Sequence, residues 1–212
     1  MRRRIVLFGG SFDPIHLGHT TVARDALEQL GGEGLVFIPA KRSPLKGFMP
    51  FAGDEDRRIM ASLAVAGDDH MTVSDCELNR PGPSYTLDTV AHFRKQYGDP
   101  TDICWLIGAD TVDDLAYWHR ITDLIDACRL CTMYRAGCDA PSFSRYESSW
   151  GRERVARLRA DVIETPLVNV SSTEIRRRLA TGRDVADMLA PAVLDYIRAH
   201  GLYKSLEPPS FL

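Results

Sequence analysis

Two histidines three residues apart follow a pair of glycines in the string Gly9-Gly10-Ser11-Phe12-Asp13-Pro14-Ile15-His16-Leu17-Gly18-His19. Consecutive glycines permit a tight turn and leave backbone N–H groups open to an anion. Pro14 blocks an earlier helix, so helix entry is expected near Ile15–His16, with His16 and His19 on one face of the first turn. Gly18 removes a side chain between them and lets a ligand approach the backbone. Imidazoles beside helix-start amides, at the positive end of the helix dipole, suit a phosphate. A histidine pair alone would equally fit a solvated turn or a metal pair. The string matches neither G-x-G-x-x-G nor G-x-x-x-x-G-K-[ST], so it is not a dinucleotide fingerprint or a P-loop.

A second anion site is expected near the other end of the chain, in Val170-Ser171-Ser172-Thr173-Glu174-Ile175-Arg176-Arg177-Arg178-Leu179. Ser171 and Glu174 have the spacing of a capping box, which starts a helix there. Its open amides, the hydroxyls of Ser171, Ser172 and Thr173, and Arg176 in the first turn could hold a phosphate. Alone, the string would read as a capped surface helix with solvated arginines.

Together the two strings are far more specific than either. The first resembles the H-x-G-H signature of the nucleotidylyltransferase superfamily, and the second resembles its I-S-S-T-x-[IV]-R signature, with Val170 in first place. Arg80-Pro81-Gly82-Pro83-Ser84-Tyr85-Thr86 resembles the R-x-G-x-S-Y-T segment of the nicotinate-nucleotide adenylyltransferases within that superfamily. Leu106-Ile107-Gly108-Ala109-Asp110 and Tyr117-Trp118-His119-Arg120 resemble two further stretches of those enzymes, as does Ala190–Tyr203. The likeness covers nearly the whole chain apart from about Gly137–Gly151 and the last residues. One segment departs from the pattern: Pro39-Ala40-Lys41-Arg42-Ser43-Pro44-Leu45-Lys46 carries Leu45 where many relatives have His, while Lys46 keeps the cation.

The resemblance implies transfer of the adenylyl group of ATP to nicotinate mononucleotide, with magnesium accompanying ATP. It implies catalytic roles for His16, His19, Lys46 and Arg176. ATP contacts would come from Gly9, Gly10, Ser11, Phe12, His16, Gly18, His19, Gly108, Asp110, Ser171, Ser172, Thr173 and Arg176. The acceptor would meet Gly10, Ser11, Lys46, Tyr85, Thr86, Trp118 and His119, with its carboxylate on amides near Thr86 and His119. An indole such as that of Trp118 suits a pyridinium ring. Asp13 is left open as a metal ligand. Rivals are a nicotinamide mononucleotide or phosphopantetheine acceptor, or a non-catalytic nucleotide sensor.

The elements that must position these residues alternate along the chain. Short apolar runs at Arg4–Phe8, Leu35–Pro39, Met71–Asp75, Ile103–Ile107, Leu130–Tyr134 and Val162-Ile163 are separated by helical patterns, among them Leu17–Leu30, Asp54–Ala66 and Tyr85–Tyr97. This predicts an α/β fold, a Rossmann-like doubly wound parallel sheet. It is expected to be one domain over residues 1–204 with a small C-terminal helical extension from about 171, and a frayed tail over 205–212. Gly137 to about Gly151 reads as a loop or insertion.

Composition agrees with such a domain. The 212 residues are 44% hydrophobic and 26% charged, which excludes a disordered chain, and the net charge of −3 argues against a nucleic-acid partner. No apolar run reaches the roughly 18 residues of a membrane span, and the apolar stretch after Arg2-Arg3-Arg4 is too short for a signal peptide. Five cysteines without an export signal read as reduced thiols in a cytoplasmic protein. The lone pair Cys128 and Cys131 reads as core packing rather than zinc, which wants four ligands. Oligomeric state is not legible.

Overall fold

The computed structural model describes residues 3–42 and 49–205. Its strands are Arg4–Gly10 (β1), Gly34–Pro39 (β2), Met71–Val73 (β3), Asp102–Gly108 (β4), Arg129–Arg135 (β5) and Val162–Thr165 (β6). All pair in parallel, in the order β3-β2-β1-β4-β5-β6. The helices are Leu17–Leu30 (α1), Asp54–Val65 (α2), Thr86–Tyr97 (α3), Ile121–Ala127 (α4), Glu147–Trp150 (α5), Arg152–Ala160 (α6), Ser172–Ala180 (α7) and Pro191–His200 (α8).

Strand side chains alternate between two buried faces, which is why the strands read as nearly continuous apolar runs. Ile5, Leu7, Trp105 and Ile107 pack with Phe93 of α3, Leu124 of α4 and Leu158 of α6. Val6, Cys104, Leu106 and Cys131 pack on the other face with Ala23 of α1, Met60 of α2, Ile175 of α7 and Leu194 of α8. Full burial of one such side chain contributes roughly 1.5–3 kcal/mol. The C-terminal helices thus share a core with α1 and α2. Among the described residues, no helix is long and apolar enough to cross a membrane.

The sheet order reverses between β1 and β4, and there the strands part. Their pairing ends at Leu7↔Trp105, although β1 runs on to Gly10 and β4 to Gly108. In an open α/β sheet this carboxyl-end crevice is where ligands bind.

Two expectations need correction. Gly9 and Gly10 do not form the turn; they extend β1 and pair with Ile38 and Pro39 of β2. They are small because of their neighbours. A Cβ on Gly9 would lie 2.5 Å from the Trp105 ring, and one on Gly10 would lie 2.9 Å from the Phe12 ring. The chain turns instead at Phe12, where φ is +46°. The segment from Gly137 to Gly151 is also more than a loop. It holds a 3-10 turn at Ser144–Tyr146 and then α5, and buries Phe143, Tyr146 and Trp150 against the core. The rings of Tyr146 and Trp150 stack at 3.9 Å. Its polar residues masked three aromatics spaced to fold inward.

Candidate active site

His16 is the N-cap of α1, in extended geometry. Its Nδ1 accepts the His19 backbone N–H at 3.3 Å, and the His19 Nδ1 accepts the His16 N–H at 3.3 Å. The two rings stack with centroids 3.7 Å apart. An Nδ1 that accepts an N–H carries no proton, so each ring in this arrangement is neutral with its hydrogen on Nε2. Burial works in the same direction: His16 is 8% exposed, and desolvation lowers its pKa to about 4, against an opposing backbone hydrogen bond. Gly18 makes room for this stack, because a Cβ there would lie 3.0 Å from Cε1 and Nδ1 of His16. The helix start offers fewer open amides than its position suggests. The Leu17 N–H donates to the Met188 carbonyl at 3.0 Å and the His19 N–H to His16.

The turn before the histidines is held from several sides. The Asp13 carboxylate accepts the backbone N–H of Phe51 at 2.7 Å and of Ala52 at 3.0 Å, and the Tyr203 hydroxyl at 2.8 Å. Arg176 donates to the Asp13 carbonyl at 2.6 Å and lies 3.9 Å from its carboxylate. The Arg176 guanidinium also covers the Phe51 ring at 4.5 Å. Asp13 is therefore an internal anchor, and its oxygens are engaged by the protein itself.

A buried cation holds the far side. Arg57 is fully buried and donates to the carbonyls of Ser11 and Ala40, each at 2.8 Å, and to Asp54 at 2.6 Å. It ties the exit of β1 to the exit of β2. Sequence reasoning missed Arg57, yet a signal existed. It sits three and four residues before Met60 and Ala61, on the buried face of α2, where an arginine must find carbonyls or acids.

The second string is brought directly onto the first. The Ser172 hydroxyl donates to the Pro14 carbonyl at 2.9 Å, and Thr173 accepts from Arg176 at 3.3 Å. The two anion sites expected at opposite ends of the chain thus adjoin. Only half of the capping box forms. Ser171 accepts the Glu174 N–H at 3.2 Å, but the Glu174 carboxylate turns to Arg177 and Arg178, which hold its pKa at about 2. The Phe12 side chain is buried among Phe8, Phe37 and His19, so an ATP contact from Phe12 would come from its main chain. Across the crevice, Asp110 bends back over Gly108, where a Cβ would meet its carboxylate oxygen at 2.4 Å.

A third group lies at the start of α3. Tyr85 caps that helix and stacks on His119 with centroids 4.2 Å apart. Thr86 is its first residue. Trp118 is half-buried, and its indole N–H is buried without a partner among the described residues. The Lys41 N–H donates to the Ser84 hydroxyl at 3.1 Å, so this group joins the exit of β2, which Arg57 joins to the histidine turn. Lys46 and Leu45 lie outside the described residues. Among those described, no three His, Cys, Asp or Glu side chains gather as metal ligands.

The family model described as cytidylyltransferase-like matches residues 7–178. A protein of Neisseria meningitidis serogroup B named "probable nicotinate-nucleotide adenylyltransferase" is 38% identical over 202 residues, 95% of this chain and 99% of its own. One of the same name from Thermomicrobium roseum is 34% identical over 204 residues, covering 96% and 93%. The fold matches that of Plasmodium falciparum nicotinic acid mononucleotide adenylyltransferase complexed with NaAD, with a TM-score of 0.72 at 18% identity over 97% of this chain and 100% of the other. The chain belongs to the cytidylyltransferase-like family, among its nicotinate-nucleotide adenylyltransferases.

Proposed function

We infer that this chain transfers the adenylyl group of ATP to nicotinate mononucleotide, forming nicotinate adenine dinucleotide and pyrophosphate in NAD biosynthesis. The observation that carries the reading is the reciprocally bonded pair His16 and His19 at the mouth of the β1–β4 crevice.

An oxygen of the acceptor phosphate attacks the α-phosphorus as the bond to the bridging oxygen breaks, and the electron pair leaves with pyrophosphate. No enzyme nucleophile is needed, because such transfers depend on positioning and charge stabilisation. On this reading the neutral imidazoles donate from Nε2–H to phosphate oxygens and do not supply positive charge. Fixed donors of this kind are worth roughly 2.7–4 kcal/mol each at a transition state. The positive charge comes from Arg176, Lys46 and the α1 dipole. Gly10 and Ser11 border the acceptor phosphate, Gly108 and Asp110 the nucleoside, and Ser171, Ser172 and Thr173 the triphosphate. Tyr85, Thr86, Trp118 and His119 receive the nicotinate ring and its carboxylate, with two amides at the α3 start favouring an anion.

Magnesium, bound to the triphosphate, would screen its charge. Asp13 is engaged by Phe51, Ala52 and Tyr203 and does not present a ligand, which suits a metal that keeps its waters and arrives on substrate phosphates. A reducing cytoplasm fits the five thiols.

The test is pyrophosphate release from ATP and magnesium with nicotinate mononucleotide, nicotinamide mononucleotide or phosphopantetheine as acceptor. Release with the first is expected to dominate. Preference for either of the others, or release with none, would overturn the reading, the last in favour of a sensor.

A further inference from the structure

Beneath the group at the start of α3 lies a carboxylate with no place in the chemistry above. Glu77 is 3% exposed and precedes the loop that runs from Arg80 to Thr86. Its Oε1 accepts the Thr89 hydroxyl at 2.6 Å, and the nearby Ser84 hydroxyl favours its charged form. Arg80 lies 3.9 Å away and donates to Thr89 at 2.9 Å and to the Tyr85 carbonyl at 3.4 Å. Thr89 and Ser84 are themselves buried. Ser84 continues the connection, since it accepts the Lys41 N–H and its own N–H donates to the Arg42 carbonyl at 3.0 Å. The carboxylate thus holds the first turn of α3 beside the loop before it, and Ser84 carries that loop on to the exit of β2.

A buried carboxylate is expensive unless hydroxyls and a cation surround it. Burial pushes the Glu77 carboxyl above its ordinary range, while Thr89, Ser84 and Arg80 act against that rise. Such a group organises its donors, and here the donors are the residues that set the direction of the α3 amides. The Asp88 and Thr89 N–H groups fold back on the Tyr85 carbonyl, whereas those of Thr86 and Leu87 precede the first helical bond.

We propose that Glu77 is a positioning residue for acceptor recognition, locking the first turn of α3 through Thr89 beside the Ser84 loop that reaches the β2 exit, so that the open amides near Thr86 meet the acceptor's carboxylate. The inference rests on the functional reading above and extends it to acceptor selectivity. Glu77 does not touch substrate. Its removal therefore loosens the acceptor side and leaves the triphosphate side, held by Arg57, Asp13 and Arg176, in place.

Steady-state kinetics with saturable ATP and each mononucleotide test this in the full chain and in Glu77→Ala, Glu77→Gln and Thr89→Val. Loss of one hydrogen bond to a charged group corresponds to roughly a tenfold change or more. Glu77→Ala is expected to raise the KM for nicotinate mononucleotide about tenfold, with kcat and the KM for ATP within about twofold. The preference for the acid over the amide mononucleotide should shrink, and Glu77→Gln should restore part of it. If Glu77→Ala does not fold, Thr89→Val, which keeps side-chain shape, carries the same expectation. Parallel rises in both KM values, or a lowered Tm with an unmoved acceptor KM, would overturn the inference. Inactivity of the parent chain with both mononucleotides would sink the functional reading and this inference together, whereas an active parent with unmoved variants sinks this inference alone.

Discussion

His16 and His19 cap each other: the Nδ1 of each ring accepts the backbone N–H of the other residue at 3.3 Å. One pair of side chains therefore starts the helix, and in this arrangement each ring carries its proton on Nε2. These tasks can be separated by substitution, because asparagine places an acceptor where Nδ1 stands and has nothing where Nε2 stands. His16→Asn should keep the cap, with a stability change under about 1 kcal/mol. Turnover should nonetheless fall by about 10²–10³, the loss typical of one missing transition-state donor. His16→Ala should lose both. Paired denaturant melts and pyrophosphate-release rates check this, and an active His16→Asn would remove His16 from the chemistry.

The same burial makes stability depend on pH in a defined window. Protonation of His16 favours the unfolded chain, where its pKa is the ordinary 6.5 rather than about 4. Its contribution is complete above pH 6.5 and is lost as pH falls through 4. The full loss amounts to roughly 3 kcal/mol. Carboxylates of the unfolded chain titrate over part of this range, so the wild type must be read against His16→Asn. The difference between their unfolding free energies should change by about 2 kcal/mol or more between pH 7.5 and 4.5. Parallel pH curves would show that His16 ionises freely in the fold.

The Tyr203 hydroxyl donates to Asp13, 190 positions earlier, and both side chains are buried. Tyr203→Phe leaves the ring in place and takes one donor from a buried carboxylate, at a cost of about 1–3 kcal/mol. For a domain of this size that lowers Tm by about 2–4 °C per kcal/mol. Because Asp13 holds the turn before the histidines, kcat should fall severalfold while the KM for the acceptor stays near its original value. Scanning calorimetry with kinetics decides this, and unchanged values for both would mean that the C-terminal segment does not brace the turn.

Legibility in the sequence followed the range of each interaction. The α1 bounds, Leu17 and Leu30, were readable because Pro14 stops the chain on one side and Gly31 accepts left-handed geometry, φ +60°, on the other. The crevice was readable from the order of strands and from two strings whose residue types suit phosphate. What escaped was decided by partners far along the chain. Gly9 and Gly10 looked like a turn because nothing local shows that Trp105 and Phe12 fill the space above them. Glu174 looked like half of a capping box, but Arg177 and Arg178 compete for the same carboxylate. The histidines' types suited a phosphate, but that the rings are neutral follows only from their mutual hydrogen bonds and burial. Arg57, Glu77 and Tyr203 brace the crevice without belonging to either phosphate string.

Trp118 offers the sharpest separation between a stacking surface and a structural aromatic. Its indole packs partly against the core, and its N–H is buried without a partner among the described residues. A buried donor in that state costs about 1–3 kcal/mol, so the nitrogen is not what the fold gains from this residue. Phenylalanine keeps a ring face and removes the donor. Trp118→Phe should therefore hold stability level or raise it slightly, and keep the acceptor KM within about threefold, since an aromatic face still meets the pyridinium. Trp118→Ala removes the face and should raise that KM about tenfold or more, with the KM for ATP nearly unchanged. Measuring both constants in both variants decides the matter, because a purely structural tryptophan would move the two KM values together and would lower Tm in the alanine variant without any preference for the acceptor.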